Sequence, residues 1–241
     1  MQKLRRRNKI DLRFETTHAI GFTVVLVLLT MNCAVAQRTW DTIPALPKHY
    51  TERIATFKKE KLVTGKVVLL GDGFTEGANW KKILKDSTVI NRGINGDITF
   101  GVLNRLGEVV QHKPSKLFLL IGLEDLAKGI PEEVVLQNII TAVRTLKSGT
   151  SSTQLFILSI LPINSAVKEF PKKYDQTEHI TAINLQLKKL SKHFGYTYVD
   201  LSNQFTNSVR QLDEKYSYDG VHLTAAGYLH WAEILKNSKY L

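Results

Sequence analysis

Three short stretches of this chain carry almost nothing but apolar side chains: residues 66–70 (KVVLL), 117–121 (LFLLI) and 155–160 (LFILSI). A strand with one wet face alternates apolar and polar residues, so runs without that alternation must be covered on both faces. Residues 88–91 and 196–201 read as two further strands. Between them lie segments with helical spacing. Residues 100–111 bring Leu103, Leu106, Val109 and Val110 to one side, and Val134, Ile139, Val143 and Leu146 do the same after Pro131, a residue suited to a helix start. Helices are also expected over 50–61, 79–84, 175–193 (stopped by Gly195) and 224–237. Five buried strands separated by helices predict an α/β fold of three layers, α/β/α, around a five-stranded parallel sheet. In such sheets the functional crevice forms beyond the carboxyl ends of the strands. Residues 66–241 show no internal repeat, low-complexity tract or second domain.

The amino terminus follows a different logic. Lys3, Arg5, Arg6, Arg7, Lys9 and Arg13 precede an apolar run over 19–31, and Ala34-Val35-Ala36 precedes Gln37. This basic, apolar, small-x-small order is that of a secretory signal peptide, and the apolar run is short for a membrane span. Residues 1–36 are read as a signal peptide cut after Ala36, with an uncut anchor or lipid attachment at Cys33 as alternatives, and residues 37–65 as a leader and helix onto the domain. The protein is then exported, periplasmic or secreted, and meets a membrane only if that segment is retained. Cleavage removes six basic and two acidic residues, so the formal charge falls from +11 to +7, and the single cysteine leaves with them. A cysteine-free remainder suits an oxidising compartment. The remaining basic residues fall in pairs such as Lys58-Lys59 and Lys188-Lys189, without an aromatic-interleaved basic block, which argues against nucleic acid as a partner.

The residues just after the strands carry the chemistry. In order they read Gly71-Asp72-Gly73-Phe74-Thr75-Glu76-Gly77, then Asn91-Arg92-Gly93-Ile94-Asn95-Gly96-Asp97, then Gly122-Leu123-Glu124-Asp125, and last Asp219-Gly220-Val221-His222. Read alone, Asp219 and His222 are an orienting carboxylate with a base, or a helix-capping aspartate with a surface histidine. Gly93 alone is a turn glycine, and Asp97 is expected to cap the helix that follows. Together the four segments resemble the motif blocks of the SGNH/GDSL ester hydrolases over about residues 66–238. That resemblance implies a flavodoxin-like three-layer fold, with His222 as catalytic base, Asp219 as its orienter, and Gly93 as an oxyanion-hole residue through its backbone N–H.

The same resemblance marks two departures. Gly73 stands where the family places its nucleophilic serine, and Glu124 where it places an oxyanion-hole asparagine. A glycine offers no hydroxyl, and an ionised carboxylate repels a developing oxyanion instead of donating to it. Thr75 is no substitute, because family members with an intact serine commonly carry a threonine there as well. Three readings follow: an impaired or inactive esterase that keeps a cleft for an acyl ester or acetylated glycan, a hydrolase in which His222 activates water, or a non-catalytic partner-binding platform. The resemblance implies a small acylated ligand, an acetylated saccharide being favoured by Leu161-Pro162-Ile163-Asn164. It implies no cofactor, and no His/Cys cluster has metal-ligand spacing. Intact-mass analysis of the exported protein is expected to find Gln37 at the amino terminus; a membrane-bound chain retaining residues 1–36 would instead be the uncut anchor.

Overall fold

In this computed structural model the described residues are 48–166 and 176–241; residues 1–36, read as a signal peptide, and Asp175, the expected start of the long helix, lie outside them. Five strands form one parallel sheet in the order β2-β1-β3-β4-β5. They are β1 (Val67–Gly71), β2 (Ile90–Gly93), β3 (Lys116–Leu120), β4 (Gln154–Leu158) and β5 (Thr197–Val199). The helices are α1 (Lys48–Lys59), α2 (Gly73–Glu76), α3 (Trp80–Leu84), α4 (Thr99–Gln111), α5 (Leu123–Ala127), α6 (Glu132–Gly149), α7 (Thr177–Phe194) and α8 (Ala225–Asn237), with a 3₁₀ turn at Ser202–Gln204. The three-layer α/β expectation holds. Strand bounds shift by one or two residues, and the short helices α2 and α5, each immediately after a strand, were not legible as helices.

The apolar runs behave as their patterning requires. Val68, Leu69 and Leu70 of β1 and Leu117–Leu120 of β3 are all buried, and Phe118 stacks on its register partner Phe156 of β4 at 4.5 Å between ring centroids. Each such side chain contributes roughly 1.5–3 kcal/mol by leaving water. On α4 the buried stripe is Val102, Arg105, Leu106 and Val109, so the helix is turned by about one position from the expected Leu103–Val110 face. On α6 Val135, not Val134, joins Ile139, Val143 and Leu146. No helix among the described residues is long and apolar enough to cross a membrane.

Arg105 explains the turn of α4. The residue is 4% exposed, and its guanidinium donates to the carbonyls of Gly71 (2.9 Å) and Arg92 (2.8 Å), near the ends of β1 and β2, while Nε and Nη2 pair with Asp97 at 3.0 and 2.9 Å. Asp97 therefore does not cap α4 as expected. Ile98 occupies the capping position, and Asp97 is drawn inward because Arg105 offers a buried partner that solvent cannot. The first N–H of α4 is satisfied instead by Asp125 of α5, whose two carboxylate oxygens each lie 3.0 Å from Thr99 N and one of which takes the Thr99 hydroxyl at 2.5 Å. Replacing Arg105 with Met should take the guanidinium away from the buried Asp97, which would keep only the Ile98 N–H, and remove one donor each from Gly71 O and Arg92 O. We expect a loss of about 3–5 kcal/mol in chemical denaturation, the cost of breaking a buried pair from one side.

Candidate functional site

All four motif segments lie at carboxyl ends of the strands or in the loop before α8. Asp72 caps the single turn α2, its Oδ1 accepting from Phe74 N at 3.0 Å, which fixes Gly73 as the first helical residue. Gly93 closes β2 against α2. A Cβ at this position would overlap the backbone N of Glu76, so only glycine permits the two segments to approach. Ile94 N then donates to Gly71 O at 3.1 Å, tying the second segment to the first.

Gly73 itself has a neighbour that the sequence did not announce. A Cβ built there would overlap Asn95 Oδ1 and stand 3.3 Å from Asn95 Cγ. The space where the resemblance expects a serine side chain is thus taken up by the Asn95 carboxamide. Asn95 is held in turn, since its N–H donates to Glu76 Oε2 at 2.5 Å. Glu76 is gripped from α1 by His49 Nε2 at 2.9 Å and Arg53 Nε at 3.1 Å, and Arg53 also donates to Gly93 O at 3.3 Å. The leader helix α1 packs Tyr50 and Phe57 against Ile94 in the same region.

Asp219 and His222 do come together. The imidazole Nδ1 lies 2.6 Å from Asp219 Oδ2, while Asp219 Oδ1 accepts from the N–H groups of Val221 (2.9 Å) and His222 (2.7 Å). Asp219 is 3% exposed, and burial pushes its pKa up. The hydrogen bonds from the imidazole and the two N–H groups outweigh burial and hold the carboxyl below its ordinary value. An ionised Asp219 can only accept, so Nδ1 carries a proton and Nε2 is the acceptor of the neutral ring. The capping alternative falls away, because Thr224 caps α8 through its own side chain.

Aromatic packing joins the last segment to the first. Trp80 of α3 meets Trp231 and Tyr228 of α8 edge-on at 4.9 and 5.9 Å, and its indole N–H donates to Thr75 O at 2.7 Å. Tyr228 has its pKa raised by burial, then by the charge of Asp72 and by Tyr218. Tyr218, 70% exposed, lies nearly parallel to the His222 ring at 6.1 Å. Glu124 stands half-buried in the first turn of α5, just beyond β3, with the buried Asp125 beside it.

These features match a known family. The sequence profile of the GDSL-like lipase/acylhydrolase family covers residues 69–229. The chain belongs to this family. An arylesterase from Vibrio mimicus is 27% identical over 112 residues, which span 40% of this chain and 56% of that relative, little over half its length. A GDSL-like lipase from Bacteroides thetaiotaomicron superposes with a TM-score of 0.69 at 22% identity, over 80% of this chain and 98% of that one. A variant of an acetyl-xylooligosaccharide esterase from Geobacillus stearmophilus gives 0.58 at 16% identity, over 73% and 95%. At these identities the two structures share the fold.

In this GDSL-like chain, the motifs pointed to Gly73, Gly93, Glu124, Asp219 and His222, and passed over Asn95, Glu76 with its α1 partners, Arg105 and Tyr218. Arg105 did leave a signal, as a charged residue on the apolar stripe of a helix. Asp125 supplies a test of this local electrostatics. Burial raises its pKa to about 7, against the pull of its bonds to Thr99. An unfolded aspartate releases its proton near 3.9, so the fold binds the extra proton across the interval between, and Asp125 favours folding most at the acid end. The Tm difference between wild type and Asp125→Asn should therefore move in favour of wild type as pH falls from about 7 to about 4. A difference that is flat with pH would show that Asp125 titrates normally.

Proposed function

We propose that this chain is an exported GDSL-like protein that binds an acyl ester, that of an acetylated saccharide, in a cleft around His222 without serine-esterase turnover. The observation carrying this reading is the pair Gly73 and Asn95: the nucleophile position has no hydroxyl, and a carboxamide fills the room a side chain there would need. Glu124, at the position expected to donate to an oxyanion, deepens the loss, since removing one such donor costs about 3–4 kcal/mol and a like charge works further against the intermediate. The saccharide is suggested by the acetyl-xylooligosaccharide esterase that shares the fold and by the exposed Tyr218 beside His222, whose ring can cover an apolar sugar face.

A second reading draws on the Asp219–His222 pair. With Nδ1 2.6 Å from the buried carboxylate, the imidazole is oriented as a base, and it could take a proton from water attacking the ester directly. Kinetics on p-nitrophenyl acetate separate the two. Wild type is expected to stay within about tenfold of His222→Ala, because replacing a nucleophile leaves only binding and residual oxyanion stabilisation. Gly73→Ser with Glu124→Asn should gain at least about 100-fold over wild type, reflecting restored attack and a restored donor. Adding Asn95→Ala should raise it several-fold further by clearing the serine's space. Wild-type turnover that His222→Ala abolishes would establish the water mechanism. Folded but inert double and triple variants would favour a platform for partner proteins.

A further inference from the structure

A polar trough lies between α7 and the loop that follows β5. It has a volume of about 380 Å³, and its lining includes Pro162, Leu185 and Tyr198 on the apolar side and Asp200, Lys188 and Arg210 on the polar side. None of these residues belongs to the four motif segments. Its volume falls in the range of small-molecule sites, and its mixture of an aromatic ring, aliphatic surface and converging polar groups is that of a ligand pocket.

The charges of the trough point to a class of ligand. Asp200 is already engaged, its oxygens accepting from Asn203 N (3.2 Å) and Asn203 Nδ2 (2.6 Å). Lys188 and Arg210 come from different elements, and among the described residues neither has a carboxylate within ion-pair distance. Arg210 is also locked in place. It takes the left-handed conformation, φ 60°, in a hairpin closed by the Thr206–Leu212 bridge and by hydrogen bonds between Asn207 and residues 209–211. A non-glycine residue in that conformation is uncommon and carries a cost in strain. Here the turn sets the base of a guanidinium that meets no carboxylate among the described residues.

The trough also shares a wall with the His222 loop. Leu212 N donates to Ile163 O (3.2 Å), Asn164 Nδ2 to Leu212 O (3.1 Å), and Asn164 N to Gly220 O (2.8 Å). One extended segment, Ile163-Asn164, therefore supports both the hairpin that carries Arg210 and the loop that carries Asp219 and His222.

We infer that this trough is a separate binding site for a carboxylate-bearing saccharide, a uronate unit whose carboxylate meets Arg210 and Lys188 while Tyr198 and Leu185 cover its apolar ring face. The planar guanidinium suits a carboxylate through two parallel N–H donors, and the lysine adds a point charge. Aromatic and aliphatic surface matches the C–H face of a pyranose. Its ligand need not be the one in the His222 cleft, and the two sites can be tested apart.

Calorimetric titration of the mature protein with tetragalacturonate, and with xylotetraose as the neutral control, is the test. Wild type should bind tetragalacturonate at least about tenfold more tightly than xylotetraose, a difference of about 1.4 kcal/mol, and lose much of that preference at high salt. Arg210→Gln and Lys188→Gln, both at exposed positions, should each weaken binding about tenfold. His222→Ala should leave the tetragalacturonate affinity unchanged, even where it removes binding of an acetylated ligand. The double change Lys58→Gln with Lys59→Gln, elsewhere on the surface, should also have no effect. The proposal is overturned if wild type does not bind tetragalacturonate or binds xylotetraose as well. It also fails if the lysine pair on α1 matters as much as Arg210 and Lys188.

Discussion

The candidate site is held together by one buried guanidinium. Arg105 reaches from α4 beneath the ends of β1 and β2, donates to Gly71 O and Arg92 O, and neutralises itself on Asp97. Every motif segment at the first two strand ends depends on this contact. Gly71 leads into the turn with Gly73, Arg92 into Gly93, and Asp97 follows Asn95 in the same loop. Burial holds the Asp97 carboxyl up at about 6 even against the pull of Arg105, so Asp97 depends on that guanidinium to stay ionised away from water. Asp125, bonded to Thr99 at the start of α4, brings the third strand end into the same arrangement.

Against this scaffold the chemical groups diverge. The Asp219–His222 pair is short and buried on its aspartate side, and the close approach of Gly93 to α2 is intact. These parts orient a base and place backbone N–H groups. What departs is the part that would become covalent and the side chain that would steady its intermediate. The Asn95 carboxamide at Gly73 shows that the missing hydroxyl left no simple vacancy, for the neighbouring loop is packed into it and anchored through Glu76 to His49 and Arg53 of α1. Positioning groups that remain beside reacting groups that are replaced are what the proposed role, holding an ester without cleaving it, requires.

Much of this was legible in the chain. Buried parallel strands declare themselves through runs such as LFLLI, because two covered faces erase the period of two, and the family resemblance of the motif segments pointed to Gly73, Gly93, Asp219 and His222. Long-range polar contacts were less visible. Asp97 has the composition and position of a helix cap, and only the tertiary fold supplies Arg105 as the stronger partner. Asn95 has no local role that spacing could reveal, since its importance comes from the loop of β2 lying against the turn after β1. The leader helix is a similar case: His49 and Arg53 look like surface charges until Glu76 is placed opposite them.

The account turns on whether the His222 cleft holds an acyl ester without cleaving it. A time course of ¹H NMR spectra on an acetylated xylo-oligosaccharide with the wild-type protein reads both properties in one sample. The predicted result is broadening of the bound acetyl signals with no growth of free acetate over hours. Steady release of acetate that disappears in His222→Ala would contradict it and establish this chain as a working hydrolase.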